Sequence, residues 1–344
     1  MDSVTQIVFG AAVGGAVAGR RAGWRGFAWG AAVGTMPDLD SFYDYGGPVA
    51  NFTWHRGYTH SLFVQTLAAP LIAWPIERLH RHLGVGYRRW LAAVWLILIT
   101  HALLDAFTIY GTQLLLPFSD HPFGLGSIFI IDPAYTLPLI VGVVGALWLR
   151  RDWERARRWN LAGLLISTLY LGWGVTAQQW VEHRAQAAIE QADLPAERML
   201  ATPTAVNSLL WRIVAVGEDA HWEALHLLGS DEPIEFRRYP NQRQLLEGIE
   251  DQWAVRRLQD FTHGFYAVTE EDGRVVISDL RMGQVGFYAF AYAVGRVEDG
   301  RTVAIDDARH STSRPDPFTM LDDLFACARG IATEVMHCGT SMPR

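Results

Sequence analysis

Six ionisable side chains lie inside or at the edges of apolar, glycine-rich segments in the first 132 residues, and this placement limits what the chain can fold into. They are Asp38 and Asp40 of PDLD, His55 and His60 of HRGYTH, and His101 and Asp105 of HALLD. Ionisable groups in membrane-like sequence are costly, so each requires a charge partner, a metal ion or water. Because all six are of metal-ligand type, the pattern predicts a metal site at a membrane face.

The apolar residues form about six segments before residue 180. These segments fall at roughly 4–19, 26–37, 61–77, 90–116, 133–149 and 159–178. A straight membrane helix needs about 20 residues. The second segment is too short to cross a membrane by itself, so it either includes flanking residues in its span or is re-entrant. The sequence therefore predicts a polytopic α-helical membrane domain over residues 1–180.

Glycines recur at four-residue spacing in the first two segments, for example Gly10 with Gly14, and Gly26 with Gly30. Small residues at this spacing allow close packing of membrane helices, and a flexible glycine-rich stretch is the alternative. No positive residue precedes the first apolar run, so we expect this segment to be retained rather than cleaved as a signal peptide.

Arginines are concentrated in alternate links between these segments, at 20–25, 78–89 and 150–158. By the positive-inside rule these links are cytoplasmic. If all six segments cross, the candidate ligands and everything after residue 180 lie on the outer side. We therefore expect a multi-pass membrane protein, with its metal site and C-terminal domain on the non-cytoplasmic side.

Residues 181–344 have a different pattern, which predicts a small α+β domain on the non-cytoplasmic side. Short strand-like runs occur between Trp211 and Val297, and Glu270–Gly273 has the composition of a hairpin turn. Residues 241–260 and a short stretch near 318–330 look helical. The net charge of −7 argues against a nucleic-acid partner, which would need a basic face.

His101 and Asp105 are four residues apart, so a helix would place them on one face. They would then either bind a metal together or form a buried pair in which Asp105 orients His101. Asp38 and Asp40 can converge on a cation, or can form a turn or helix cap after Pro37. His55 and His60 are suited to zinc as neutral imidazoles.

Three further residues have open roles. Asp132 precedes Pro133 and is either a helix cap or a seventh metal ligand. Arg56 either holds an anionic substrate or forms an ion pair with a nearby aspartate. His121 is a weaker ligand candidate in a loop. Asp40 or Asp105 could instead act as a general base, so we take Asp40, Asp105 and Arg56 as the candidate catalytic residues.

The motifs PDLD, HRGYTHS, HALLD and IIDPAYT, in this order among apolar segments, resemble those of the YdjM/DUF457 family over roughly residues 1–180. These are bacterial inner-membrane proteins regarded as metal-dependent hydrolases, so the resemblance implies that the non-cytoplasmic side of this chain is the periplasm. The resemblance implies metal binding by Asp38, Asp40, His55, His60, His101 and Asp105. The grouping of the family with zinc phospholipase C and P1-type nucleases implies hydrolysis of phosphoesters, which is an analogy of fold.

These observations favour a membrane-bound hydrolase that uses one or two divalent ions, with zinc preferred, to activate water. A lipid bilayer is the expected environment, and a phosphoester or lipid-linked molecule the expected substrate. A metal or ion transporter and a non-catalytic membrane scaffold are the alternatives. The oligomeric state, and the pairing of the only two cysteines, Cys327 and Cys338, are not determined by the sequence.

Overall fold

The computed structural model describes residues 1–310, except the side chains of residues 306–310. The chain forms two compact units. The first comprises Met1–Tyr43 and Trp54–Val175, and the second comprises Asp44–Thr53 and the chain from Thr176 onward. The predicted boundary at residues 180 and 181 lies within α7, a helix that continues from the first unit into the second.

The secondary-structure elements up to Gln191 are all helices. The α-helices are α1 (Ser3–Ala22), α2 (Trp24–Thr35), α3 (Pro48–Trp54), α4 (Leu62–Leu79), α5 (Tyr87–Ala106), α6 (Pro133–Trp148) and α7 (Trp153–Gln191), and short 3₁₀ helices span Pro37–Phe42, Tyr58–His60 and Arg81–Leu83. Asp2 and Ser61 begin α1 and α4 because their side chains accept hydrogen bonds from backbone N–H groups of the first turn. Most of α3 belongs to the second unit.

Two of the described helices, Tyr87–Ala106 and Trp153–Gln191, are long and apolar enough to cross a membrane, and the apolar helix Pro133–Trp148 is shorter. The expectation of about six comparable spans is therefore met only in part. The reason lies in length and composition. Helix α2 has 12 residues, whereas α4 contains Pro70 and Pro75 and ends in charged residues.

Helices α1 and α2 pack closely through their glycines. A Cβ atom added to Gly30 would lie 2.2 Å from the carbonyl oxygen of Gly10, and one added to Gly14 would lie 2.4 Å from that of Gly26. No side chain larger than hydrogen fits at such distances. The four-residue glycine spacing thus corresponds to close helix packing and not to a flexible stretch.

The second unit contains two four-stranded antiparallel sheets and a short hairpin. The first sheet has the order β1 (Arg198–Pro203), β2 (Leu210–Val216), β3 (Ala220–Leu227), β4 (Arg237–Pro240), and the second has the order β10 (Arg301–His310), β9 (Ala291–Glu298), β6 (Arg274–Asp279), β5 (Tyr266–Glu271). The hairpin pairs β7 (Gly283–Gln284) with β8 (Phe287–Tyr288). One further helix, α8 (Trp253–Phe261), makes this an α+β unit, as the sequence predicted.

The turn between β5 and β6 lies where the sequence placed it. Asp272 and Gly273 both have positive φ, at 49° and 73°, which suits a two-residue hairpin turn. The region 241–260 is helical only in part, in a 3₁₀ turn at Arg243–Leu246 and in α8. The helix expected near 318–330, like both cysteines, lies outside the described residues.

Candidate metal centre

Four ligand-type side chains converge within the first unit: Asp38, His60, His101 and Asp105. Asp38 lies on the 3₁₀ helix that follows α2, His60 ends the 3₁₀ helix before α4, and the other two lie one turn apart on α5. The His60 and Asp105 side chains are fully buried, and that of Asp38 is 17% exposed. Three separate elements therefore supply one buried polar cluster.

The distances within the cluster fit a single cation. His60 Nε2 lies 3.1 Å from His101 Nε2 and 3.1 Å from Asp105 Oδ2. Asp38 Oδ1 lies 3.4 Å from His60 Nε2 and 3.5 Å from His101 Nε2, and His101 Nε2 lies 3.6 Å from Asp105 Oδ2. Zinc bonds to nitrogen and oxygen of about 2.1 Å in a tetrahedron separate the ligand atoms by about 3.4 Å.

The hydrogen bonds around the two imidazoles leave both Nε2 atoms as acceptors. His101 Nδ1 donates to the carbonyl of Gly34 at 2.8 Å. The hydroxyl of Thr59 donates to Asp40 at 2.6 Å, so Thr59 Oγ1 must accept from His60 Nδ1, which is 2.9 Å away. Each imidazole therefore has its proton on Nδ1, and its Nε2 lone pair is directed into the cluster.

Asp105 supplies a further unsatisfied acceptor. Its Oδ2 is buried and lies 3.3 Å from Arg56 Nε, but takes part in no hydrogen bond with any described residue, whereas its Oδ1 accepts from Gln6 at 2.9 Å and from the amino group of Met1. Buried acceptors without donors are costly. The residues present thus fit a cation, because a positive charge among these acceptors removes that cost.

The pKa shifts of two cluster residues also indicate a site that favours positive charge. Burial raises the pKa of Asp38, but the neighbouring imidazoles of His101 and His60 outweigh it and hold that pKa well below its usual range. Burial lowers the pKa of His60, but the neighbouring carboxylates of Asp105 and Asp38 outweigh it and raise that pKa. Both shifts favour positive charge in the cluster.

Asp40 and His55, two of the predicted ligands, lie beside the four-residue cluster rather than in it. Asp40 accepts from the Thr59 hydroxyl, from the backbone N–H of Arg56 at 3.0 Å, and from His55 Nδ1 at 2.8 Å. Burial raises the pKa of Asp40, but its hydrogen bond with His55 and the histidine charges nearby lower it overall. Asp40 thus orients His60 through Thr59.

Arg56 is buried and forms the ion pair that the sequence left as one of two alternatives. Its Nε lies 3.3 Å from Asp105 Oδ2, and one Nη donates to Thr108 at 3.1 Å. Its guanidinium lies 5.0 Å from the centre of the Tyr110 ring. The backbone of Arg56 has a φ of 60°, a strained conformation that costs about 1–3 kcal/mol. This turn separates His55 from His60.

Asp132 and His121 are not among the converging ligands. The Asp132 carboxylate caps α6 by accepting from the backbone of Ala134, and it accepts from the Tyr170 hydroxyl at 2.8 Å. Burial raises its pKa, and the hydrogen bond from Tyr170 opposes that shift. His121 is exposed, and its ring packs against Phe123. The geometry of Asp132 is that of the helix cap that the sequence also allowed.

Sequence reasoning missed three supporting groups: Thr59, Gln6 and the carbonyl of Gly34. A signal existed for Gln6, because an amide within the apolar run of α1 needs a partner, and it donates to Asp105. Thr59 had only its position beside His60. Gly34 contributes its backbone carbonyl, which every residue has, so its residue type gives no signal of this role.

A model of a known family covers just over half of the chain. The family is described as YdjM inner membrane protein, and it matches residues 1–181. The chain belongs to the YdjM family. The matched region contains all four converging ligands, so the cluster is part of the YdjM domain and the β-sheets follow it. No curated protein and no solved structure matches the chain.

Proposed function

We propose that this YdjM-family chain is a membrane-bound metal-dependent hydrolase acting on a phosphoester or lipid-linked substrate. The observation that carries the proposal is the convergence of two imidazole nitrogens and two carboxylates, with both imidazole protons held on the far side of the rings. Hydrogen bonds of this kind orient the ligands in metalloproteins.

The donor set favours zinc as the resident ion. Two neutral imidazoles and two carboxylates suit a divalent cation of intermediate softness. The four ligand atoms lie within 4.8 Å of one another, so a single ion is the simplest occupancy. Asp38, His60, His101 and Asp105 would hold it. When bound, such an ion lowers the pKa of a coordinated water and polarises the scissile group.

The surrounding residues have positioning roles in this proposal. Arg56 holds Asp105 in the cluster and balances part of its charge. Asp40 fixes Thr59 and thereby the tautomer of His60, and it also orients His55, whose side chain is 22% exposed. This assigns Arg56 and Asp40 to orientation of the ligands, in contrast to the direct catalytic roles considered from the sequence.

A site at a membrane face suits a substrate with a polar group and a lipid anchor. The inner-membrane family, the two candidate spans and the uneven arginine distribution support a multi-pass arrangement with the cluster on the periplasmic side. Asp38 is the one member of the cluster with appreciable exposure, which indicates the side from which water and substrate would enter.

The proposal is tested by metal analysis and hydrolysis assays on the full-length protein purified in a neutral detergent. The variant His101→Ala removes one ligand, and His82→Ala, an exposed histidine in the same unit, is the matched control. We expect about one zinc ion per chain and hydrolysis of bis(p-nitrophenyl) phosphate by the wild type and His82→Ala, with both reduced at least about tenfold in His101→Ala.

Equal metal content in the wild type and His101→Ala would overturn the metal assignment. Metal binding without hydrolysis, accompanied by metal flux in proteoliposomes, would instead favour the transporter considered from the sequence. The two assays therefore separate the metal site from the reaction assigned to it.

A further inference from the structure

Helices α1, α2, α4 and α5 meet at one end of the first unit, away from the Asp/His cluster. Trp29 Nε1 on α2 donates to Nε2 of His80, which follows α4, at 2.8 Å. Arg21 on α1 donates to the carbonyl of Gly84, just before α5, at 2.6 Å. Trp90 in the first turn of α5 packs beside His80, with ring centroids 6.1 Å apart. At 1.5 Å per residue along α5, Trp90 lies about 16 Å from the nearest cluster ligand, so this basic end is a separate region.

The basic end carries an excess of positive charge. Its two segments, residues 20–25 and 77–89, contain seven arginines and one carboxylate, Glu77. Glu77 is already paired with Arg81, whose Nε lies 3.4 Å from it. The other six arginines form no ion pair with any described residue, and all but the half-buried Arg25 are exposed: Arg20, Arg21, Arg25, Arg78, Arg88 and Arg89. Their charge is therefore available to an anion.

Two buried N–H groups at the same end have no acceptor. Because the indole of Trp29 can only donate, His80 Nε2 accepts its hydrogen bond and Nδ1 of the neutral ring carries the proton. This Nδ1 and Trp90 Nε1 are both buried and have no hydrogen-bond partner among the described residues. A buried donor without an acceptor is costly, and a phosphate oxygen or a water held by it would remove that cost.

The ionisation of His80 reflects the same positive surroundings. Burial lowers its pKa, and the charges of Arg25 and His82 lower it further. The ring is therefore neutral near pH 7 and donates through Nδ1 rather than adding another charge. Arginines and unsatisfied N–H groups together suit an anion with several oxygen acceptors.

Exposed aromatic and apolar side chains border the basic end. Trp24 at the start of α2 is exposed, and the guanidinium of Arg25 lies 5.1 Å from the centre of its ring. Tyr87 begins α5, and Leu71 and Trp74 are exposed on α4 in the turns before His80. Tryptophan and tyrosine at helix ends are typical of the membrane interface. A free phosphate ion would contact none of this apolar surface, whereas the acyl chains of a lipid would cover it.

We propose that the basic end binds the phosphate group of an anionic phospholipid. The arginine forks and the N–H groups face the phosphate oxygens, and the acyl chains lie along the exposed side of α4. Clusters of basic residues beside membrane helices bind anionic headgroups in this way. One lipid would contact both the α1–α2 and the α4–α5 helix pairs, so its binding also stabilises the first unit. The site depends on the membrane location of the chain and not on the hydrolase chemistry.

Phosphatidylglycerol and phosphatidylcholine with the same acyl chains are the probes that test this proposal, because their headgroups differ in net charge. Binding to the full-length protein in an uncharged maltoside detergent is measured by native mass spectrometry. We expect the Kd for phosphatidylglycerol to be at least about tenfold lower, since each arginine near an anionic lipid changes binding about fivefold. An equal concentration of inorganic phosphate should not displace the lipid.

Arginine variants connect the binding to the basic end. Arg25→Gln should weaken phosphatidylglycerol binding at least about threefold, and the double variant Arg88→Gln/Arg89→Gln at least about fivefold. The double variant Arg237→Gln/Arg238→Gln is the matched control. It removes the same charge from two adjacent exposed arginines on β4 of the second unit, and it should bind the lipid as the wild type does.

Equal affinity for the two phospholipids, or equal weakening by the two double variants, would overturn the proposal. Displacement by inorganic phosphate at equal concentration would show that the site takes the free anion, and would overturn the assignment to a lipid. Limited proteolysis establishes that each variant is folded. A failed hydrolase assay changes none of these outcomes, because the Asp/His cluster is intact in every variant.

Discussion

His60 and His101 are 41 positions apart in the sequence, yet their Nε2 atoms face each other at 3.1 Å. Two acceptor nitrogens at this distance repel each other unless positive charge lies between or beside them. Their Nδ1 protons are engaged elsewhere, by Thr59 and by the carbonyl of Gly34. The pair is therefore the strongest geometric indication of a bound cation in the described part of the chain.

Metal removal should destabilise the first unit. We expect a chelator to lower the Tm of the purified protein and added zinc to restore it, because an ion at about 100 times its Kd stabilises the folded state by about 2.7 kcal/mol. Differential scanning fluorimetry measures this shift. His101→Ala is the control, and a chelator effect of the same size in that variant would place the metal elsewhere.

Thr59→Val should weaken metal binding although Thr59 is not itself a ligand. The change breaks the chain from Asp40 to His60 and frees the imidazole to adopt the other tautomer. Loss of such a supporting hydrogen bond typically lowers metal affinity about 10- to 100-fold. Competition with a fluorescent zinc chelator measures the change.

Thr168→Val is the matched control for this experiment, because the Thr168 hydroxyl donates only within its own helix, to Leu164. An unchanged affinity in Thr59→Val would remove Asp40 and Thr59 from the description of the site.

The sequence could predict part of this site because helical periodicity is local. The four-residue spacing of His101 and Asp105 placed both side chains on one face of α5, where the structure has them. The sequence could not show in the same way that Asp38, and not Asp40, belongs to the four-residue cluster. It depends on the turn of a short 3₁₀ helix, and on which carboxylate the loop at Arg56 reaches.

In the fold, too, the sequence could predict features set by neighbouring residues but not those set by residues far apart in the chain. The β5–β6 turn follows from Asp272 and Gly273 themselves. The inclusion of Asp44–Thr53 in the second unit depends on contacts of Phe52 with Phe261 and Phe290, which are distant in sequence. Such contacts leave no local pattern to read.

Arg56→Met should destabilise the protein by several kcal/mol. Removing one partner of a buried ion pair leaves the other charge uncompensated, at a typical cost of about 3–5 kcal/mol. Arg81→Met, which breaks an exposed pair with Glu77, should cost less than about 1 kcal/mol. Denaturation in a detergent–urea series compares the two, and equal effects would contradict the buried pairing of Arg56 with Asp105.

The stability of the second unit should fall with acidification below neutral pH. Burial, with a smaller contribution from Arg212, lowers the pKa of His221 to about 4, against about 6.5 for an unfolded chain. Between these values the unfolded state binds the additional proton, so the free energy of unfolding rises with pH across this window, by at most about 3 kcal/mol.

His221→Gln removes this titrating group and should flatten the pH dependence between about pH 4 and 6.5. Hydrogen exchange of β3 amides, corrected for intrinsic rates, reports the stability of this unit. His183→Gln, an exposed histidine on α7, should leave the wild-type slope. A wild-type slope in His221→Gln would show that other groups cause the dependence.

Gly30→Ala should disrupt the packing of α1 against α2 and, with it, metal binding. The new Cβ would lie 2.2 Å from the carbonyl oxygen of Gly10, a backbone atom that cannot move aside without shifting the helix. Helix α2 also supplies the Gly34 carbonyl to His101 and leads directly into the segment with Asp38. We expect a lower Tm together with a reduced zinc content.

Gly172→Ala is the control, because a Cβ atom added at this helical position meets nothing within 4 Å. It should leave both the Tm and the zinc content unchanged. A Gly30→Ala protein with wild-type Tm and zinc content would contradict the contact between the two helices and the dependence of the cluster on it.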